Sequence, residues 1–174
     1  MIEIKVIDEK SKQDILLPNQ PFPLIGYLRP TYNKEGWSYT IQKNTQIDWQ
    51  TFPDENYDYD DMKKDCYFIG AYHNQHCIGL AILQTGAFNH LYLYDLKVNQ
   101  TYRKQGIASL LLEKCKELAL KEHYRGIWTI GQDNNLIACL FYLKEGFEIG
   151  GLDTHCYKGT KQEGKSDIHF YLEI

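Results

Sequence analysis

The chain has 174 residues, of which 43% are hydrophobic and 24% charged. That length suits one domain with a sizeable core, and the apolar fraction excludes a disordered chain. With 19 basic against 23 acidic residues the net charge is −4, which disfavours a nucleic-acid binder and favours a cationic small molecule. No window approaches the ~18 consecutive apolar residues of a membrane span. The start, MIEIKVIDEK, lacks a secretory layout. Five scattered cysteines (Cys66, Cys77, Cys115, Cys139, Cys156) include no CxxC pair. They predict a reducing cytoplasm, with no disulfide framework and no metal site. The expected partner is a small molecule, not nucleic acid or membrane, and the expected state is monomer or homodimer.

In chain order, Ile2, Ile4 and Val6 share one face of a predicted first strand. Pro18, Pro21, Pro23 and Pro30 make the next stretch loop-rich and exclude a long helix. Gly36–Thr40 reads as an edge strand or part of a lid. Residues 54–65 carry six acidic side chains and two lysines. Strands at 66–73 and 77–84 form a hairpin through Asn74-Gln75. The turn TGAFNH leads to a strand at 91–98, where Leu91, Leu93, Asp95 and Lys97 alternate with Tyr92, Tyr94, Leu96 and Val98. Apolar residues Ile107, Leu110, Leu111, Cys115, Leu118 and Ala119 predict an amphipathic helix over about 106–122. A short strand at 126–130 precedes a helix from Leu136 to Glu145, closed by Gly146 and introduced by Asp133-Asn134-Asn135, with Asp133 as the expected cap. Two closing strands follow. The order predicts a mixed α/β sheet, mostly antiparallel, with one right-handed crossover that makes the 91–98 and 126–130 strands parallel neighbours.

The sharpest motif is Arg103-Lys104-Gln105-Gly106-Ile107-Ala108, between a strand and a helix. A helix N-terminus offers N–H groups and partial positive charge. Gly106 lets the backbone approach a bulky anion, Ala108 keeps the turn uncrowded, and Arg103 and Lys104 add charge. The motif predicts a site for a phosphate-bearing ligand. It is neither a Walker A loop nor GxGxxG.

A second motif follows, Asn135-Leu136-Ile137-Ala138-Cys139-Leu140-Phe141-Tyr142-Leu143-Lys144-Glu145-Gly146-Phe147. The pair resembles the GNAT superfamily of acetyl-CoA-dependent N-acetyltransferases. The resemblance implies one acetyltransferase domain over 1–174, with an acceptor-side region over about 1–65 and an acetyl-CoA-binding core over about 66–174. It implies a central pair of parallel strands that splay apart to admit the pantetheine arm. It assigns the cofactor to Leu96, Val98, Arg103, Lys104, Gln105, Gly106, Ile107, Ala108, Ser109, Asn135 and Tyr142. Within that superfamily, Gln132-Asp133-Asn134-Asn135, Ile149-Gly150, Asp153-Thr154 and upstream Pro21-Phe22, Ile25-Gly26 and Trp37 are similar to the streptothricin acetyltransferases. This implies a streptothricin-type antibiotic as acceptor, through the amine of its β-lysine arm. Another small amine, a polyamine, a protein amine or a CoA-binding sensor are the alternatives. Two positions depart from that pattern, where Tyr94-Asp95 replaces Glu-Asp and Ile130-Gly131 replaces Glu-Thr.

Tyr142 is the expected general acid, since a phenol is protonated at neutral pH and can supply the leaving thiolate. Asp95 is the expected general base or an anchor for the cation, unless it faces away as a surface aspartate. Tyr94 and Trp37 are expected to shape the acceptor pocket. The acidic 54–65 run either attracts a polycation or is a solvated loop.

Overall fold

The computed structural model describes residues 1–86 and 88–174. Its elements are β1 (Ile2–Val6), β2 (Phe22–Asn33), β3 (Gly36–Gln50), α1 (Tyr59–Met62), β4 (Cys66–His73), β5 (His76–Gln84), β6 (His90–Val98), α2 (Ile107–Lys121), β7 (Gly126–Gln132), α3 (Leu136–Lys144), β8 (Glu148–Asp153) and β9 (Asp167–Glu173). The class is mixed α/β with mostly antiparallel strands, as expected. Ala87, inside the expected 85–90 turn, lies outside the described residues. The chain forms two compact units, one of Met1–Pro21, Thr51–Ile127 and Ile174, the other of Phe22–Gln50 and Trp128–Glu173.

In the first unit, β1, β4, β5 and β6 pair antiparallel in that order, and the unit also takes in Gly126 and Ile127 at the start of β7. The β4–β5 hairpin turns on Asn74 and Gln75, both at positive φ, the geometry that matches the twist of two-residue hairpins. Ile107, Leu111, Leu112, Cys115 and Ala119 form the buried stripe of α2, which packs on β4, β5 and β6. Leu110 was expected in that stripe and is exposed; Leu112 takes its place. Successive i, i+4 positions from Ile107 set the stripe, and Leu110 lies off it. The opposite face of the sheet carries Ile7, Ile15, Phe68, Tyr72, Leu80 and Ile82. Val6 was expected to share one face of the strand with Ile2 and Ile4. It is 53% exposed while Ile7 is buried.

In the second unit, β9 lies between β7 and β8. The expected loop-rich and short-strand region is instead a long two-stranded ribbon of β2 and β3. Pro23 and Pro30 sit within β2. A two-stranded ribbon tolerates them because each strand has an outer edge where the missing N–H breaks no ladder. That edge of β2 is used only in part, by a parallel bridge of Gly26 with Asn135 and by the Leu28 N–H donating to the Asp133 carbonyl. Leu28, Leu136, Cys139, Phe147, Ile168 and Phe170 form its core. Among the described residues no helix is long and apolar enough to cross a membrane.

Candidate functional site

The loop ahead of α2 belongs to the first unit. Gly106 is the N-cap of α2 with φ of +79°, and no side chain caps that end. By contrast, Asp58 caps α1 and Asn135 caps α3. Lys104 is also left-handed, with φ of +61°. Left-handed residues in a tight loop turn successive N–H groups to one side and make an anion-binding concavity. A Cβ on Gly106 would meet nothing within 4 Å, so the loop is open on that side.

The arginine of the motif does something the sequence did not suggest. Arg103 Nε donates to the Val98 carbonyl at 3.1 Å, Nη1 to Pro21 at 2.6 Å and Nη2 to Gln20 at 3.4 Å. The guanidinium thus ties the loop to the end of β6 and to a segment eighty residues upstream. Gln105 donates to the Thr101 carbonyl at 3.2 Å. Lys104 is exposed and keeps its charge at the loop surface. Ile107 is buried, and Ala108 and Ser109 are half-buried at the first turn. Leu96 and Val98 pair with Ala81 and Gly79 of β5.

Strand β6 carries a bulge. Ile82 faces Asp95 but Leu83 faces Leu93, so Tyr94 is an extra residue in the ladder. The expected alternation across 91–98 is broken there. Leu93 shares a face with Leu83, whereas Asp95 and Lys97 share the opposite face with Ile82 and Leu80. Asp95 therefore does not face away to solvent; its side chain is only 15% exposed. Tyr94 is 44% exposed, edge-on to Tyr57 and Tyr92.

Around Asp95 lies a charged network that sequence reasoning missed. The Lys97 ammonium is 3.2 Å from Asp95 and 3.2 Å from Glu55, and donates to Asn19 Oδ1 at 3.1 Å. The Tyr57 hydroxyl donates to Asp95 at 3.0 Å. Burial holds the Asp95 carboxyl above the usual carboxylate range, against the pull of Lys97. Burial and the Asp95 charge raise Tyr57, so its hydroxyl is a donor. Glu55 is lowered in spite of its burial, by bonds from Asn19 and by Lys97. The rest of the acidic run is occupied otherwise. Asp60 pairs with Lys12 and Lys63, and Asp58 caps α1.

In the second unit, Tyr142 is 9% exposed on α3, with its ring 5.4 Å from Phe147 and 5.4 Å from Phe170. Asn135, not Asp133, caps α3, its Oδ1 accepting from the Ala138 N–H at 3.3 Å. Asp133 is instead a buried anchor. It accepts from Arg29 at 3.2 Å and from the Ser166 N–H at 3.1 Å, and burial raises its carboxyl. Arg29 also lies 4.1 Å over the Tyr27 ring. Gly131 has a packing reason. A Cβ there would lie 3.0 Å from Phe170 and 3.3 Å from Cys139, so any side chain requires those two neighbours to give way by a few tenths of an ångström. Trp37 stands one pair from the tip of the β2–β3 ribbon, opposite Tyr32, with ring centroids 5.0 Å apart.

Burial pushes Cys115 and Cys139 up to about 12. Cys156 is exposed.

Comparison with known proteins supplies the remaining step. The model of the acetyltransferase (GNAT) family matches residues 31–147. Streptothricin acetyltransferase A of Bacillus subtilis is 28% identical over 163 residues, covering 93% of this chain and 94% of its own. A streptothricin acetyltransferase of Escherichia coli is 34% identical over 59% of each chain. A Bacillus anthracis protein assigned as a streptothricin acetyltransferase, crystallised with acetyl coenzyme A, superposes with a TM-score of 0.87 at 25% identity. That match covers 100% of this chain and 98% of the other. A nourseothricin acetyltransferase shares the fold, with a TM-score of 0.81 at 20% identity over 99% of this chain and 98% of its own. The chain belongs to the GNAT acetyltransferase family, as an N-acetyltransferase that takes its acetyl group from acetyl-CoA.

Proposed function

We propose that the protein acetylates a primary amine of a streptothricin-type antibiotic and so inactivates it. The observation that carries this reading is the relationship to the Bacillus subtilis streptothricin acetyltransferase along nearly the full length of both chains. The charge arrangement of the first unit supports it, because Asp95 and Glu55 share one ammonium between them. That leaves an acidic surplus suited to a cationic acceptor.

The open, uncapped start of α2 holds the pyrophosphate of acetyl-CoA. Gly106 gives close approach, the N–H groups of Ile107, Ala108 and Ser109 give polarity, and Lys104 gives charge. Arg103 holds the loop in shape, Gln105 ties it to Thr101, and Leu96 and Val98 flank the pantetheine arm. Once neutral, the amine nitrogen attacks the thioester carbonyl, the N–C bond forms, the C–S bond breaks, and the acylated nitrogen sheds its remaining extra proton to solvent. Asp95, whose raised carboxyl makes it a better base than a solvated aspartate, takes the proton from the ammonium. Tyr142 gives its phenolic proton to the departing thiolate. Tyr94 and Trp37 shape the acceptor's surroundings, and Asn135 sets the start of the helix that carries Tyr142.

The test is thiol release from acetyl-CoA with and without streptothricin, followed by mass analysis of the antibiotic. A streptothricin-dependent release and a product one acetyl group heavier are expected. Release with other amines and none with streptothricin would overturn the acceptor assignment while leaving the enzyme class intact.

A further inference from the structure

Residues 17–21 of the first unit carry two prolines, Pro18 and Pro21. Each fixes its own φ and keeps the residue before it out of the helical region. Leu17 is extended accordingly, with φ of −51° and ψ of 121°. The segment is neither helix nor strand, and side chains hold it instead. Arg103 donates to the Gln20 and Pro21 carbonyls. Gln20 Oε1 accepts from the Gln100 N–H. The loop ahead of α2 therefore sets where this segment lies.

Asn19 stands on that segment, beside the Asp95 group. Its side-chain amide is used at both ends. Oδ1 accepts from Lys97 at 3.1 Å, and Nδ2 donates to the Pro53 carbonyl at 2.8 Å and to Glu55 at 2.9 Å. Its backbone N–H donates to Asp54 at 2.6 Å. Lys97 has three N–H donors, and they meet three acceptors, on Asp95, Glu55 and Asn19. Of the three only Asn19 is neutral. A lysine is a point charge on a flexible stem, so two carboxylates alone leave it free to lean toward either. Asn19 settles the division. It donates to the same Glu55 oxygen that accepts from Lys97, and so supplies part of what Glu55 would otherwise draw from the ammonium.

We propose that Asn19 is a positioning residue for acetyl transfer: by seating Lys97 between Glu55 and Asp95, it holds the Asp95 carboxyl in the state that takes the proton of the amine. It acts through Lys97 and not on the reacting atoms. The proposal rests on Asp95 as the base, as read above, and not on which amine is the acceptor. The groups that bear on Asp95 are Lys97 on its own strand and Glu55 and Tyr57 from the segment before α1. Strand β5 presents Ile82 to it. Without Asn19, Glu55 loses a donor and pulls the ammonium from Asp95. The carboxylate loses compensation, and its proton is held to higher pH.

Two variants test this. Asn19→Asp keeps the shape and the acceptor for Lys97, loses both donors and adds a like charge. Asn19→Ala removes all the side-chain bonds. Both keep the backbone bond to Asp54 and the hold of Arg103 on Gln20 and Pro21, so the segment stays in place. The first measurement is the titration of the Asp95 carboxyl carbon by NMR, which needs no acceptor. The second is the pH dependence of kcat/KM for streptothricin, whose acid limb reports the base of the free enzyme. Both variants should move the Asp95 titration and the acid limb together to higher pH. The expected shift is about half a unit or more, a fraction of the 1–3 units by which a neighbouring charge moves a carboxyl. The acetyl-CoA KM should stay at wild type. Lost stability alone would lower the amount of active enzyme and move neither midpoint. An unmoved Asp95 titration in both variants would overturn the role of Asn19. A moved titration with an unmoved acid limb would overturn Asp95 as the base, and the positioning role with it. A wild-type enzyme that does not acetylate streptothricin would overturn the antibiotic reading, and the NMR titration would still decide whether Asn19 seats Lys97.

Discussion

Gly106 separates two effects that a single substitution would confound. With φ of +79°, any L-residue there bears the left-handed penalty, about 1–2 kcal/mol. In a chain of this length that lowers Tm by roughly 2–4 °C per kcal/mol. Crowding adds nothing, since a Cβ would meet no atom within 4 Å. Gly106→Ala should therefore fold and melt a few degrees early. Its methyl group would stand where a phosphate must come close to the first N–H groups of α2. Losing one charge-assisted hydrogen bond costs about 1.5–3 kcal/mol, which is a tenfold to hundredfold rise in the acetyl-CoA Kd. Gly106→Asn is the control, because asparagine tolerates the left-handed region. It should recover most of the lost Tm and none of the lost affinity. Calorimetric titration with acetyl-CoA, beside thermal melts of both variants, makes the comparison. If Gly106→Asn binds acetyl-CoA as the wild type does, the pyrophosphate is not held at this helix start.

Tyr142→Phe keeps a ring packed on Phe147 and Phe170 and removes only the hydroxyl. Its kcat should fall roughly 10²-fold with acetyl-CoA binding unchanged; wild-type kcat in single-turnover assays would assign the proton to another donor. Asp95 makes stability depend on pH with a definite sign. Its folded carboxyl titrates above the ordinary value of 3.8, so the native state holds the proton longer than the unfolded chain. The stability it contributes is fully present below pH 3.8 and is lost as the pH rises through the raised folded value. Asp95→Asn should flatten the fall in Tm over that interval and raise acceptor KM or lower kcat. Superimposable wild-type and variant melting profiles as the pH rises from 3.8 would refute the shift.

What the sequence made legible was local. The Arg103–Ala108 loop stood out because helical spacing begins at Ile107 and a residue at positive φ is best supplied by glycine. The start of α3 was legible for the same reason, though Asn135 and not Asp133 caps it, because both residue types can cap and only the fold says which one is buried. The β2–β3 ribbon was hidden by its prolines, which read as loop residues until the partner strand is known. The partners of Arg103 were hidden too. They are the carbonyls of Gln20, Pro21 and Val98, and a carbonyl carries no residue type for a motif to register.

The bulge at Tyr94 shows why charge counting along the chain overstates attraction for a cation. Strict alternation places Leu91, Leu93, Asp95 and Lys97 on one face. The extra residue against Ile82 and Leu83 moves only the last two to the other face. There Lys97 meets Asp95 and, from the acidic run, Glu55. Asp60 is likewise held by two lysines. Exposed pairs of that kind contribute little to stability, but they cancel much of the field that the run would otherwise project. A cationic acceptor drawn to this unit therefore feels the one uncompensated charge of the Asp95–Lys97–Glu55 group more than the six acids of 54–65. Neutralising Glu55 should affect acceptor binding more than neutralising Asp60, although both belong to the same run.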